Sequence, residues 1–301
     1  MKKRVVIAGG SGFLGTNISS ELLARGYEVV SLDLFPPRLK EVAFVESNTA
    51  VKISHHEKLK HPFAVINLTG RPIFARWNET VKDQIYSSRI STTKNLVSLF
   101  KLEEFRPKVF LSASAVGFFG DGGERLFKES SEVGQTFLAK VCRDWEAEAL
   151  KAQEFGIRTC IMRNATILGK AGMLSKLAPF YKAGLGGPLG SGEQWFPWVH
   201  IHDCALAYVW ALTHTDFSGK VNVCAPELVR NRDFSQAFAQ ALHRPHFLRI
   251  PQFSLRLLYG ELADEILLSA KVGSRLTNEL KFHFQFPTLK GALENIIDSD
   301  K

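Results

Sequence analysis

Residues 9–15 read Gly-Gly-Ser-Gly-Phe-Leu-Gly, between the apolar run Val5-Val6-Ile7-Ala8 and a helical pattern carrying Leu14, Ile18, Leu22 and Leu23. Two spacings coexist, GxGxxG on Gly10, Gly12 and Gly15 and GxxGxxG on Gly9, Gly12 and Gly15. Glycines at such a junction permit a tight turn, let the backbone approach a pyrophosphate and let the helix pack closely on its strand. The helix start adds free N–H groups and a positive dipole end, which suit a phosphate. The expected diphosphate contacts are therefore Gly9, Gly12, Phe13, Leu14 and Gly15. Thr16 follows Gly15 directly with no Lys between them, which excludes a P-loop. Asp33 stands at the end of a second strand, 18 residues after Gly15. A carboxylate there accepts bonds from ribose hydroxyls and repels a 2′-phosphate, so NAD is expected. Arg38, five residues on, keeps NADP as the alternative.

Those residues need a scaffold, and the chain offers alternating strands and helices. Apolar runs at 5–8, 28–32, 64–68, 109–111 and 159–162 predict strands, and 13–25, 78–100 and 135–155 predict helices, with Asn78 as an N-cap. A helix over 203–212, capped by Asp203, and a strand over 221–223 follow. Such alternation with short connections predicts an α/β, Rossmann-type doubly wound parallel sheet. From about residue 166 the pattern changes. A Gly-rich stretch at 184–192 precedes Gln194, Trp195 and Trp198, which suit either a lid or core packing, and the tail is broken by Pro245, Pro251 and Pro287. We expect residues 1–165 plus about 200–225 to form the dinucleotide-binding domain. Residues 166–199 plus 226–301 would form a smaller, mostly helical C-terminal lobe.

Composition narrows the function. With 301 residues, 45% apolar and 23% charged, the chain has the makeup of a globular protein rather than a disordered or fibrous one. Its net charge of +8 includes one dense basic run, Lys2-Lys3-Arg4, with Lys and Arg elsewhere read as interleaved with acids, so no nucleic-acid partner is expected. Cys142, Cys160, Cys204 and Cys224 never form CxxC, which argues for reduced thiols and against a metal site. The basic and apolar start imitates a signal peptide but is interrupted by glycines, and no apolar run approaches the length of a membrane span. A cytoplasmic protein without a membrane partner is the expectation.

These residues resemble the short-chain dehydrogenase/reductase superfamily in its extended, epimerase/dehydratase branch. Asn67-Leu68-Thr69-Gly70 is similar to the turn after the fourth strand, and Ser112-Ala-Ser-Ala-Val116 to the strand that delivers the active-site serine, here Ser114. Arg163-Asn-Ala-Thr-Ile-Leu-Gly169 is similar to the arginine-bearing segment passing the nicotinamide, and Trp198-Val-His-Ile-His-Asp203 to the family's His-Val-x-Asp segment. SASAVGFFGDGGE, FLAKVCRDWE, GLGGPLGSGEQW and the tail resemble one subgroup, the YfcH-like (SulA-homologue) epimerase-family proteins with a C-terminal domain of unknown function. The resemblance implies an NAD(P)-dependent oxidoreductase or epimerase acting on a small carbonyl or sugar-like substrate, with a homodimer as one possible assembly. Leu68, Thr69, Gly70 and Arg163 would line the cofactor. Ser114 would orient a carbonyl or merely satisfy a strand end. Arg89, where the superfamily usually has Asn, would hold an anionic group or be a solvated helix arginine.

The pattern departs from the superfamily at its acid/base pair, Tyr-x-x-x-Lys, in which the lysine charge lowers the tyrosine pKa. Alignment on Trp145-Glu146 places Leu138 and Cys142 there, and Phe118-Phe119 stand where the subgroup carries a tyrosine. A non-catalytic dinucleotide-binding sensor or scaffold is therefore the alternative function. His200 and His202 are expected to face opposite ways, with one either reaching the cleft or serving as a hydrogen-bonded structural residue, and Glu124 and Glu129 are expected to be solvated loop acids rather than catalytic ones.

Overall fold

The computed structural model describes residues 2–298. Its strands are β1 (Arg4–Ala8), β2 (Glu28–Asp33), β3 (Ala43–Glu46), β4 (Ala64–Asn67), β5 (Val109–Ala115), β6 (Leu126–Phe127), β7 (Arg158–Asn164), β8 (Thr166–Leu168), β9 (Trp198–His200), β10 (Gly219–Val223) and β11 (Lys271–Val272). Its helices are α1 (Phe13–Ala24), α2 (Glu79–Leu99), α3 (Phe137–Leu150), α4 (Met173–Lys182), α5 (Ile201–Thr213), α6 (Asn231–Ala241), α7 (Gln252–Tyr259), α8 (Leu262–Ile266), α9 (Arg275–Asn278) and α10 (Leu289–Asp298).

Seven strands form one sheet in the order β10-β7-β5-β4-β1-β2-β3, every pair parallel. Strands buried on both faces need apolar residues at successive positions, and alternate residues then serve opposite layers. Val5 and Ile7 pack with Ile18 and Leu22 of α1 and with Ala205, Tyr208 and Leu212 of α5. Val6 and Ala8 pack on the other side with Leu96 and Val97 of α2 and Ala149 of α3. The chain leaves β1 toward β2 on one side and returns to β4 on the other, so the carboxyl ends of β1 and β4 flank the crevice where such sheets bind ligands. Asn78 caps α2 as expected, its side chain accepting from Val81 N at 2.8 Å.

Several expectations change in detail. Strand β3 has no counterpart in the sequence reading, being four residues long and only partly buried. Helix α5 begins at Ile201, and its N-cap is His200, whose Nδ1 accepts from His202 N at 3.2 Å. Asp203 caps nothing on its own helix. Fully buried, it accepts from Gln285 N at 2.8 Å and Phe286 N at 2.9 Å, tying the tail to α5. Glu129 is no solvated acid either, since it accepts from Asn222 N and Arg275 N and joins the tail to the sheet edge. Glu124, though exposed, pairs with Arg230 at 2.9 Å and accepts from Trp195 Nε1. Trp198 is core, 1% exposed.

After β7 the small β8–β9 pair leads into a second apolar cluster that joins Leu168, Leu174, Trp198, Phe234, Phe238 and Leu293. Val272 and Leu276, within the 226–301 stretch, pack instead into the core beneath the main sheet. All four cysteines are free and buried. No helix among the described residues is long and apolar enough to cross a membrane.

Candidate functional site

At the carboxyl end of β1 each glycine has its own reason. Gly9 has φ +85°, a conformation that suits glycine. A Cβ on Gly15 would lie 2.3 Å from Gly9 O, and one on Gly10 would lie 2.6 Å from Ser31 Oγ. Gly15 is thus demanded by packing of the turn itself and Gly10 by the turn's approach to β2. A Cβ on Gly12 would meet only Gly9 O, at 3.2 Å, and otherwise project into open space. Gly12 is the N-cap of α1 and supplies no side-chain cap. Among the described residues the N–H groups of Phe13 and Leu14 have no acceptor. Unclaimed first-turn amides beside an empty Cβ position fit a diphosphate. The Phe13 ring underlies Gly169, where a Cβ would come within 2.4 Å of its Cζ, so the segment after β8 is held over the start of α1.

Asp33 is engaged with the same turn. Its Oδ2 accepts from Ser11 N at 3.1 Å and from Ser11 Oγ at 2.5 Å, and its Oδ1 accepts from Leu34 N at 2.7 Å. Leu34 and Phe35 follow it with exposed apolar side chains, and Arg38 is exposed. On the other wall Leu68 N donates to Ala8 O, while Thr69 Oγ1 and N both donate to Asn67 Oδ1. Leu68 lies against Gly9, with 3.2 Å from its carbonyl carbon to a Cβ built there. Leu68, Thr69 and Gly70 thus border the glycine turn.

Arg89 projects from α2 to Gly70, where a Cβ would sit 2.8 Å from its Cζ. Its Nη1 donates to Arg71 O at 3.1 Å and Ile85 O at 3.0 Å, and its Cζ stands 5.4 Å from the Trp145 ring centroid. Burial pushes its pKa below the ordinary guanidinium value. Among the described residues no carboxylate pairs with it, and Nε and Nη2 have no acceptor. Its Nη1 is thus braced by two backbone carbonyls, while the side chain stays half-buried.

Ser114 and Arg163 occupy a different setting from the one expected. Arg163, fully buried, grips Glu146 through Nε–Oε1 at 2.7 Å and Nη2–Oε2 at 2.8 Å. Its Nη1 donates to Glu129 O, and Phe118 lies 3.6 Å beneath its Cζ. The guanidinium is therefore committed to the protein rather than presented to a cofactor. Ser114 Oγ donates to Glu146 Oε1 at 2.8 Å, and Lys220 Nζ stands 3.7 Å from Oε2. A hydroxyl whose proton is held by a carboxylate can still accept a bond but has none to donate.

Leu138 joins an apolar cluster with Trp77, Ile85 and Phe137. Cys142 is buried, and loss of hydration pushes its thiol pKa up to about 11. The sequence reading missed Glu265, which reaches from α8 to the start of α3 and accepts from Leu138 N at 3.2 Å. Burial raises its pKa above the usual carboxylate value, opposed by bonds from Leu138 N, Thr136 Oγ1 and Phe137 N. No local pattern marks a residue that meets its partners 127 positions away. Glu146 did carry a signal, because Cys142, Trp145 and Ala149 are also buried on α3 and place it on the same stripe.

Residues 5–224 match the NAD dependent epimerase/dehydratase family, and residues 250–296 match a domain of unknown function, DUF1731. The chain is 35% identical to an Arabidopsis thaliana chloroplastic epimerase family protein, SDR39U1 homolog, over 97% of this chain and 86% of that protein. It is 32% identical to the Bacillus subtilis epimerase family protein YfhF, over 99% of each chain. Human epimerase family protein SDR39U1, solved with NADPH, superposes with a TM-score of 0.86 at 30% identity, covering 98% of this chain and 99% of that one. The chain belongs to the NAD dependent epimerase/dehydratase family.

Proposed function

We propose that the protein is an oxidoreductase or epimerase-type enzyme that works on a small carbonyl or sugar-like substrate bearing an anionic group. The observation that carries this reading is Arg89: a braced cation beside Gly70 with two donors unused and no counter-charge. Partly withdrawn from water and without a counter-charge, the guanidinium is best understood as a seat for an anion. The dinucleotide, when bound, supplies or accepts hydride. Gly12 and the amides of Phe13 and Leu14 would hold its diphosphate. Asp33, followed by apolar Leu34 and Phe35, favours NAD over NADP because a 2′-phosphate would meet a carboxylate. The smaller lobe, 166–199 plus 226–301, would supply the opposing wall.

Leu138 carries no ionisable group, burial holds the Cys142 thiol protonated at neutral pH, and Ser114 Oγ donates to Glu146. A dedicated general acid contributes roughly 10²–10⁴-fold, so reduction of generic carbonyls should be slow. The same observation supports a second reading, a sensor that binds the dinucleotide without turnover. A screen of carbonyl and sugar-nucleotide substrates with bound NADH separates the two. Turnover that falls in Arg89→Met while NADH affinity holds supports the enzyme. Tight NADH binding with no turnover on any substrate supports the sensor.

A further inference from the structure

The positive charge of this chain is not spread evenly. Residues 168–190 and 243–258 hold Lys170, Lys176, Lys182, Arg244, Arg249 and Arg256 and not one Asp or Glu. These two short stretches therefore carry six of the net eight positive charges, against the sequence expectation that cations beyond the amino terminus are interleaved with acids. They also lie together. Ile250 N donates to Pro188 O at 2.9 Å, Gly190 N donates to Ile250 O at 2.8 Å, and α7 continues directly from that pairing. Arg256 pairs with Asp264, and Lys176 donates to Phe74 O. Lys182, Arg244 and Arg249 are exposed, with no ion pair among the described residues.

The same stretches expose apolar side chains. Phe247 is 90% exposed, Phe253 74% and Leu257 69%, with Phe180 and Leu185 about half exposed. Phe253 and Leu257 are one turn apart on α7, whose buried side is held by Leu255. Isolated apolar residues are ordinary on a surface, but several on two adjoining stretches, amid exposed cations without ion pairs, suit an occupant. A second copy of the chain fits badly, because a two-fold contact would set the cations of one copy against those of the other. Apolar tips that protrude this far need a partner into which they can sink, and the cations need a negative one.

We infer that this face docks on an anionic lipid bilayer, with Phe247, Phe253 and Leu257 entering the interface and Lys182, Arg244 and Arg249 meeting the headgroups. Amphipathic surfaces of this makeup lie in the interface plane without crossing it. This goes beyond the proposed chemistry and does not depend on it.

The test is co-sedimentation of the full chain with vesicles of phosphatidylcholine alone and with about one third phosphatidylglycerol, a content that gives a negative surface potential. The wild type should partition onto the anionic vesicles and be released by high salt. Lys182→Glu with Arg244→Glu and Arg249→Glu should weaken partitioning by more than about tenfold. Phe247→Ser with Phe253→Ser should weaken it as well. All these positions are exposed, and an unchanged thermal melt followed by circular dichroism certifies that each variant is folded. No partition of the wild type onto anionic vesicles overturns the inference. So does equal partition onto phosphatidylcholine alone, or a concentration-dependent dimer that both variant sets abolish.

Discussion

The two ends of the cleft have been built by different means. At the carboxyl end of β1, the glycine turn leaves the backbone amides of Phe13 and Leu14 unclaimed and space open at Gly12. At the carboxyl end of β5, the polar groups have turned inward. Ser114, Arg163 and Lys220 all converge on Glu146, and the positions beside them are Leu138 and Cys142. One end leaves amides and space unclaimed, and the other is closed on itself. Binding and chemistry are thus separable in this fold. The first of these ends is made largely of backbone and the second of side chains, so a change at one need not disturb the other.

The contrast can be broken hardest at Glu146. Glu146→Ala leaves Arg163 buried without its partner, which should cost about 3–5 kcal/mol of stability. Chemical denaturation measures the loss. Ser114→Ala, which removes one hydrogen bond to the same carboxylate, should cost only about 1 kcal/mol. Equal losses for the two would mean that Glu146 is not the hub of that end.

A smaller effect sharpens what Cys142 can do in place of a lysine. With its pKa at about 11 and its side chain buried, it should alkylate at least about 100-fold more slowly than a free thiol at pH 8, because only the thiolate reacts. Iodoacetamide labelling with peptide mapping reads this site apart from the other cysteines. Rapid labelling of native protein at Cys142 would place a reactive thiol at the chemical end.

The smallest effect lies at the ribose. Asp33→Ser should shift preference toward NADPH by about tenfold, equivalent to about 1.4 kcal/mol, as the repelling carboxylate is removed. Fluorescence titration with both reduced cofactors decides it. Because Asp33 also braces Ser11, the variant should lose some affinity for NADH as well.

How far the sequence revealed each end follows from the same difference. The glycine turn, β1, β2 and the Asn78 cap are local, each determined by residues within a few positions, and they stand where the pattern places them. The inward network is not local. Nothing beside Arg163 says that its carboxylate lies 17 residues earlier, or that Asp203 will meet backbone amides 82 and 83 residues later. Family resemblance pointed Arg163 toward the nicotinamide, but the buried charge of Glu146 claims it. Edge strand β3 escaped because a short, half-exposed strand shows little of the apolar run that marks a central one.

In the function proposed above, the glycine-turn end is a dinucleotide seat that works independently of the Glu146 network. Paired NADH titrations of Gly12→Val and Ser114→Ala test it most directly. A valine at Gly12 projects where nothing but Gly9 O now stands, so it should fill the diphosphate's place while leaving the turn folded. The account predicts saturable NADH binding in the wild type, near-equal affinity in Ser114→Ala, and loss of binding in Gly12→Val with thermal stability largely kept. Undiminished binding by Gly12→Val, or binding abolished by Ser114→Ala alone, would contradict it.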